Sequence, residues 1–176
     1  IHGYIYPINF KSRIPDYFFI KGADCWGWAT WKRSWDQFEK NGEKLKNIID
    51  RNNLKKEFNF NNSYDYYKML KNQIKGRNDS WAIRWYASTF IKNMYTLYPK
   101  KTFVKNIGAD GSGTHGKANG NINRKLDVRK RYYSSKIKNK KVYEDLNAKF
   151  QIERYFRLNS ISLLEKIIKK YLHETN

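Results

Sequence analysis

A mixed, helix-rich α/β fold is expected from three features of this sequence. Apolar residues recur at helical spacing in several segments. Three shorter stretches read as strands, each beside or containing a proline. Burial is carried mainly by rings: Phe, Trp and Tyr make up 17% of the 176 residues, within a 40% hydrophobic share. Disordered chains are poor in aromatics, and rings bring both large apolar areas and geometric preferences. The length fits one domain, with or without a tail.

Residues 1–10 (IHGYIYPINF) alternate apolar positions and predict a strand, with Pro7 placing it at an edge or near its end. Residues 16–20 (DYFFI), introduced by Pro15, predict a second. A loop, KGADC, leads into WGWATWKRSW, residues 26–35, with four tryptophans in ten positions. Trp28, Trp31 and Trp35 stand at i, i+3 and i+7, which predicts one face of a helix. Trp26 and Gly27 then lie at its start, Phe38 and Leu45 extend its buried face, and Asn41-Gly42 ends or interrupts it. Residues 43–60 read as a polar helix or strand with few anchors. Tyr66, Met69, Leu70 and Ile74 repeat at helical spacing after a loose capping arrangement at Asn62 and Asp65, with Gly76 as the stop. Residues 78–94 (NDSWAIRWYASTFIKNM) are apolar around most of a helix, so that helix should be largely buried. Residues 97–108 read as turn then strand, running into a loop with five glycines between Gly108 and Gly120. Composition then shifts: ten basic residues face one acid, Asp127, between Lys117 and Tyr143. A boundary near residue 120 therefore separates 1–120 from 121–176, where a basic linker precedes an amphipathic helical pattern from Glu144.

The formal net charge is +20, with a pI of about 9.9. Such a field attracts anions, whether nucleic acid, acidic lipid or phosphorylated small molecules. Part of the Lys, Asn and Ile abundance is consistent with codon bias. Cys25 is the only cysteine, so an intrachain disulfide and a cysteine-based zinc site are excluded, and a reducing compartment is expected. It has no activating histidine near it in sequence and reads as structural. No run of about 18 apolar residues predicts a spanning helix, and no secretory signal pattern is visible.

Three blocks, WGWATWKRSW, DSWAIRWYASTF and LYPKKTFVKNIGADGSGTH, in this order and spacing, resemble the C-terminal half of bacterial family 2 glycosyltransferases. The resemblance covers roughly residues 1–116. It implies the C-terminal, acceptor-side part of a GT-A catalytic domain, followed here by a basic helical extension. It implies inverting transfer of a sugar from a nucleotide-sugar donor to an acceptor hydroxyl, on a surface polysaccharide or lipid-linked glycan. It also implies a divalent metal, Mn2+ or Mg2+, held through an Asp-x-Asp motif in the donor half. Nothing in this sequence corresponds to that half, so this portion alone is expected to be inactive.

Inverting transfer needs a base to take the acceptor proton and positive charge to stabilise the leaving diphosphate. By analogy with the family the base is a carboxylate near a helix start, and Asp79 in NDSWAIRW matches it. The same position suits an N-cap, which would hold the carboxylate to backbone N–H groups. Asp24 is the second candidate acid, and an acceptor contact; the plain reading is a solvated loop residue. Trp26, Gly27 and Trp28 would face the acceptor sugar, whose C–H faces suit an aromatic plane, while a core wedge explains the indoles equally. Gly27 would let a ligand approach the backbone. Gly111, Ser112, Gly113, Thr114 and His115 would close over the donor diphosphate as an anion nest, with His115 a metal or phosphate contact, or form a plain surface loop. Arg84 is a candidate charge partner for the donor. The expected location is cytoplasmic, peripheral to the inner face of the membrane, where 117–143 and the helix after it would meet anionic lipid at about 1 kcal/mol per basic residue. The alternative is a basic nucleic-acid-binding module, supported by charge with interleaved Tyr132 and Tyr133 but by no recognised nucleic-acid motif.

Overall fold

The computed structural model describes residues 1–10, 14–105 and 141–174, with side chains through residue 160. Tyr-Phe-Phe-Ile is a run of strong strand formers, and it builds β1 (Tyr17–Lys21), which pairs antiparallel with β2 (Tyr95–Pro99). Tyr17 faces Pro99 and Lys21 faces Tyr95 across the ladder. Phe18 and its partner Tyr98 are both buried and stack at 6.1 Å, nearly parallel. β2 occupies residues read as the turn, beginning two positions before the predicted segment, and past Pro99 the Lys100 N–H still donates to the Asp16 carbonyl at 2.8 Å.

Between the two strands run five helices: α1 (Lys32–Trp35), α2 (Gly42–Arg51), α3 (Lys55–Phe58), α4 (Tyr66–Ile74) and α5 (Trp81–Ile91). A sixth, α6 (Leu146–Glu174), comes after the undescribed residues 106–140. Among the described residues the fold is thus mixed α/β and helix-rich, with a two-stranded sheet. α5 is its axis: every residue from Trp85 to Phe90 is buried. Tyr86 stacks on Phe58 at 4.8 Å and meets Tyr66 at a tilt at 4.7 Å, and its hydroxyl donates to the Phe58 carbonyl at 2.8 Å. Against the same ring, Gly22 has φ +93°, and a Cβ there would lie 2.4 Å from Tyr86.

α6 enters the same core. Its Ala148, Ile152 and Phe156 are buried, and Phe156 meets Tyr6 at 4.9 Å and Tyr64 at 5.2 Å. The chain just before it lies along β1: Glu144 bridges Phe19 in parallel, the Asp145 N–H donates to the Phe19 carbonyl, and the Glu144 carboxylate accepts from the Lys21 N–H. No helix among the described residues is long and apolar enough to cross a membrane.

Three local expectations are corrected. Residues 1–10 form no regular strand; their one bridge joins His2 to Trp28. The tryptophan helix shrinks to α1, with Trp31 as its N-cap, because residues 27–29 are held against the N-terminus by non-helical backbone bonds. There the Gly3 N–H donates to Gly27 and the Ala29 N–H to Ile1, at 2.7 and 3.0 Å. Asn41-Gly42 starts a helix instead of ending one: the Asn41 side chain caps α2 by accepting from the Lys44 N–H at 3.0 Å.

Candidate functional site

The extended course of residues 27–29 sends neighbouring indoles to different partners. Trp26 lies against Tyr4, with ring centroids 4.9 Å apart, and is 43% exposed. Trp28 turns to α1 and α5, meeting Trp81 at 5.6 Å, Trp35 at 6.0 Å and Trp85 at 6.2 Å. Trp35 closes the group, 5.1 Å from Trp85 and 6.0 Å from Trp81, with Phe38 at 4.8 Å. The sequence blocks WGWATWKRSW and DSWAIRW are therefore joined by a four-indole cluster. Only Trp85 is fully buried, at 2% exposure; Trp35 and Trp81 keep 39% and 40% open, and Trp31 beside them in sequence keeps 50%, with Arg33 over its ring. The helical i, i+7 relation of Trp28 and Trp35 is absent, yet the contact it suggested is made.

Asp79 precedes this wall by two residues. The N-cap of α5 is Ser80, not Asp79. The Ser80 N–H is taken by the Asn78 side chain at 3.0 Å, so the capping expectation for Asp79 is replaced. The Asp79 carboxylate is exposed and makes no hydrogen bond or ion pair among the described residues.

Asp24 is not a solvated loop acid. It accepts from the Tyr6 hydroxyl at 2.9 Å and from the Cys25 N–H at 2.7 Å. With Tyr6, Tyr66, Tyr86 and Tyr98 it lines a space of about 10 Å³, room for a single water and far too small for a sugar. Burial, and then the Asp24 charge, push the Tyr6 and Tyr98 hydroxyls well above their usual range. Burial, helped by Asp24, likewise pushes the Cys25 thiol up to about 12, which leaves it a thiol at neutral pH. His2 is buried nearby and accepts the Trp26 N–H on Nε2 at 3.1 Å; burial holds its pKa below the ordinary value. Its proton therefore sits on Nδ1, and its Nε2 does not pair with Asp24 Oδ1, 3.9 Å away.

Trp26 and Gly27 line a groove of about 400 Å³ with Tyr4, Val104 and Lys105. Gly27 does not leave room for a ligand at its own Cβ position: φ is +58°, and a Cβ there would lie 2.6 Å from a Val104 methyl. Arg84 donates to the Lys40 carbonyl at 2.9 Å, which ties α5 to the start of α2. Gly111, Ser112, Gly113, Thr114 and His115 lie outside the described residues, as does the proposed boundary at 120. Among the described residues no three His, Cys, Asp or Glu side chains come together to hold a metal ion; the Asp-x-Asp site that the resemblance implies belongs to the donor half.

Sequence reasoning missed one feature beside Asp79. Asn62, Tyr64, Asp65, Asn72 and Asn78 open onto a cleft of about 610 Å³ on the α4 side. The only advance signal was the asparagine-rich run NNSYD. Compared with models of protein families, with curated proteins and with solved structures, the chain matches none.

Proposed function

We propose that this chain is the acceptor-side part of an inverting, family 2-type glycosyltransferase with a GT-A fold. It would transfer a sugar from a nucleotide-sugar donor to a hydroxyl of a glycan or lipid-linked glycan. The observation that carries this reading is the four-indole cluster, a half-open aromatic wall beside an unengaged carboxylate. In that cluster Trp35 and Trp81 are left 39% and 40% exposed, and open indole suits the C–H faces of a pyranose. Asp79 is the base: its carboxylate, spent neither on capping nor on an ion pair, accepts the proton of the attacking acceptor hydroxyl. The new glycosidic bond forms at the anomeric carbon as its bond to the diphosphate breaks, with inversion. Asp24 is spent on the Tyr6 hydroxyl and the Cys25 N–H in a space too small for a sugar, and is given no contact with the acceptor. The net charge of +20 favours the anionic donor.

The test is Asp79→Asn in the polypeptide joined to its nucleotide-binding half. Transfer should fall by about 10²–10⁴-fold, the usual contribution of a general base, with the circular dichroism spectrum and melting curve unchanged. Transfer within a few-fold of the parent would remove Asp79 from the role.

A further inference from the structure

We infer that the α4 cleft is a binding site for a neutral oligosaccharide, which takes the acceptor's sugar residues beyond the one that reacts. The cleft spans about 610 Å³, within the range of small-ligand sites. Its lining points to sugar hydroxyls. Of nine lining residues one is an acid, Asp65, and one a base, Lys68, on a chain whose net charge is +20. A site for a phosphate or nucleic-acid backbone would be lined with lysines and arginines; this cleft is lined with amides. Asn62 and Asn72 make no side-chain hydrogen bond among the described residues, so each offers two N–H donors and a carbonyl acceptor. That mixture matches vicinal hydroxyls, which both donate and accept.

Above the amides stands Tyr64, 45% exposed. Its ring is braced by tilted contacts with Tyr66 at 4.5 Å and Phe156 at 5.2 Å. The turn that presents Asn62 to the cleft is built at a cost: Phe60, Asn61 and Asn62 all have φ between 48° and 61°. Such residues cost about 1 kcal/mol each. Ser63 locks the turn by donating to the Phe60 carbonyl at 2.6 Å.

The cleft also has a direction. Asn78 lines it and Trp81 belongs to the indole wall, three residues on, so their Cα atoms are at most about 11 Å apart. Asp79 stands between them. The assignment of the far sugars to this cleft rests on the acceptor reading above; binding of a neutral glycan here does not.

The experiment titrates the chain with neutral cello-, chito- and manno-oligosaccharides of one to six residues, following side-chain amide resonances and affinity. Asn62 and Asn72 amides should shift, affinity should rise with length, and Tyr64→Ala should weaken hexasaccharide binding at least tenfold while Tyr64→Phe does not. Asn72→Ala, which leaves the aromatic brace intact, should weaken it by a smaller factor. The inference is overturned if none of the three series moves the cleft amides, if Tyr64→Ala binds as the parent does, or if a sulfated hexasaccharide occupies the cleft in preference to the neutral ones. Because this readout needs no turnover, glycan binding here together with unaffected transfer in Asp79→Asn would sink the base assignment alone.

Discussion

Replacing Trp35 and Trp85 singly and together tests whether the two tryptophan-rich blocks meet as described. Trp85 is 2% exposed, and truncating a fully buried Trp to Ala costs about 3–5 kcal/mol. An indole offers roughly 200 Å², worth about 5 kcal/mol of transfer at about 25 cal/mol per Å². Trp35, 39% exposed, has roughly three fifths of that to lose, about 3 kcal/mol. Their centroids are 5.1 Å apart at 53°, a geometry in which aromatic pairs gain about 0.5–1.5 kcal/mol beyond area. The double variant should therefore be more stable than the sum of the single losses by that amount, measured by urea unfolding with unchanged slopes. Coupling below about 0.3 kcal/mol, the level of additivity for distant sites, would refute the packing.

Phe156→Ala should destabilise the fold by about 3–5 kcal/mol and speed amide exchange in the first turns of α6, since that ring joins the helix to Tyr6, Tyr64 and Phe60. Gly27→Ala should cost about 2–4 kcal/mol, from a left-handed backbone and from overlap with Val104; adding Val104→Ala should return the overlap part in a melting assay. The folded pKa of His2 is held below 6.5, chiefly by burial, so the unfolded chain binds the proton first as pH falls. Stability should be full above pH 6.5 and decline below it, by at most about 1.4 kcal/mol per pH unit until the folded pKa is passed. His2→Gln should flatten that part of the stability profile.

The features legible in the sequence came from strong local signals. The all-round apolar character of 78–94 gave the buried axis α5 and the strand formers at 16–20 gave β1; at α4 the cap fell three residues later than the Asn62 start expected, on Asp65, which accepts from the Lys68 N–H at 3.0 Å. Errors fell where distant chain decided local conformation. Residues 27–29 have helical ring spacing but spend their backbone bonds on Ile1 and Gly3, which no local pattern reveals. Asn41-Gly42 suits either a helix stop or a helix start; here Asn41 caps a start, and Gly42 lies so close to Ile74 of α4 that a Cβ would come within 2.8 Å of it. Asp24 looked solvated because its tyrosine shell is gathered from residues 6, 66, 86 and 98, far apart in sequence. The cleft was invisible for the same reason, its walls coming from α4, the loop before it, the segment before α5, and α6.

The aromatic wall beside Asp79 is tested most directly by fluorine NMR on the chain labelled with 5-fluorotryptophan, whose six indoles give six signals. On titration with a neutral glycan acceptor, the signal of Trp81 should move first, with those of Trp26, Trp31 and Trp35 available to follow and that of buried Trp85 nearly still. A saturating glycan that leaves Trp81 unmoved, or shifts Trp85 as much as the open indoles, would contradict the account.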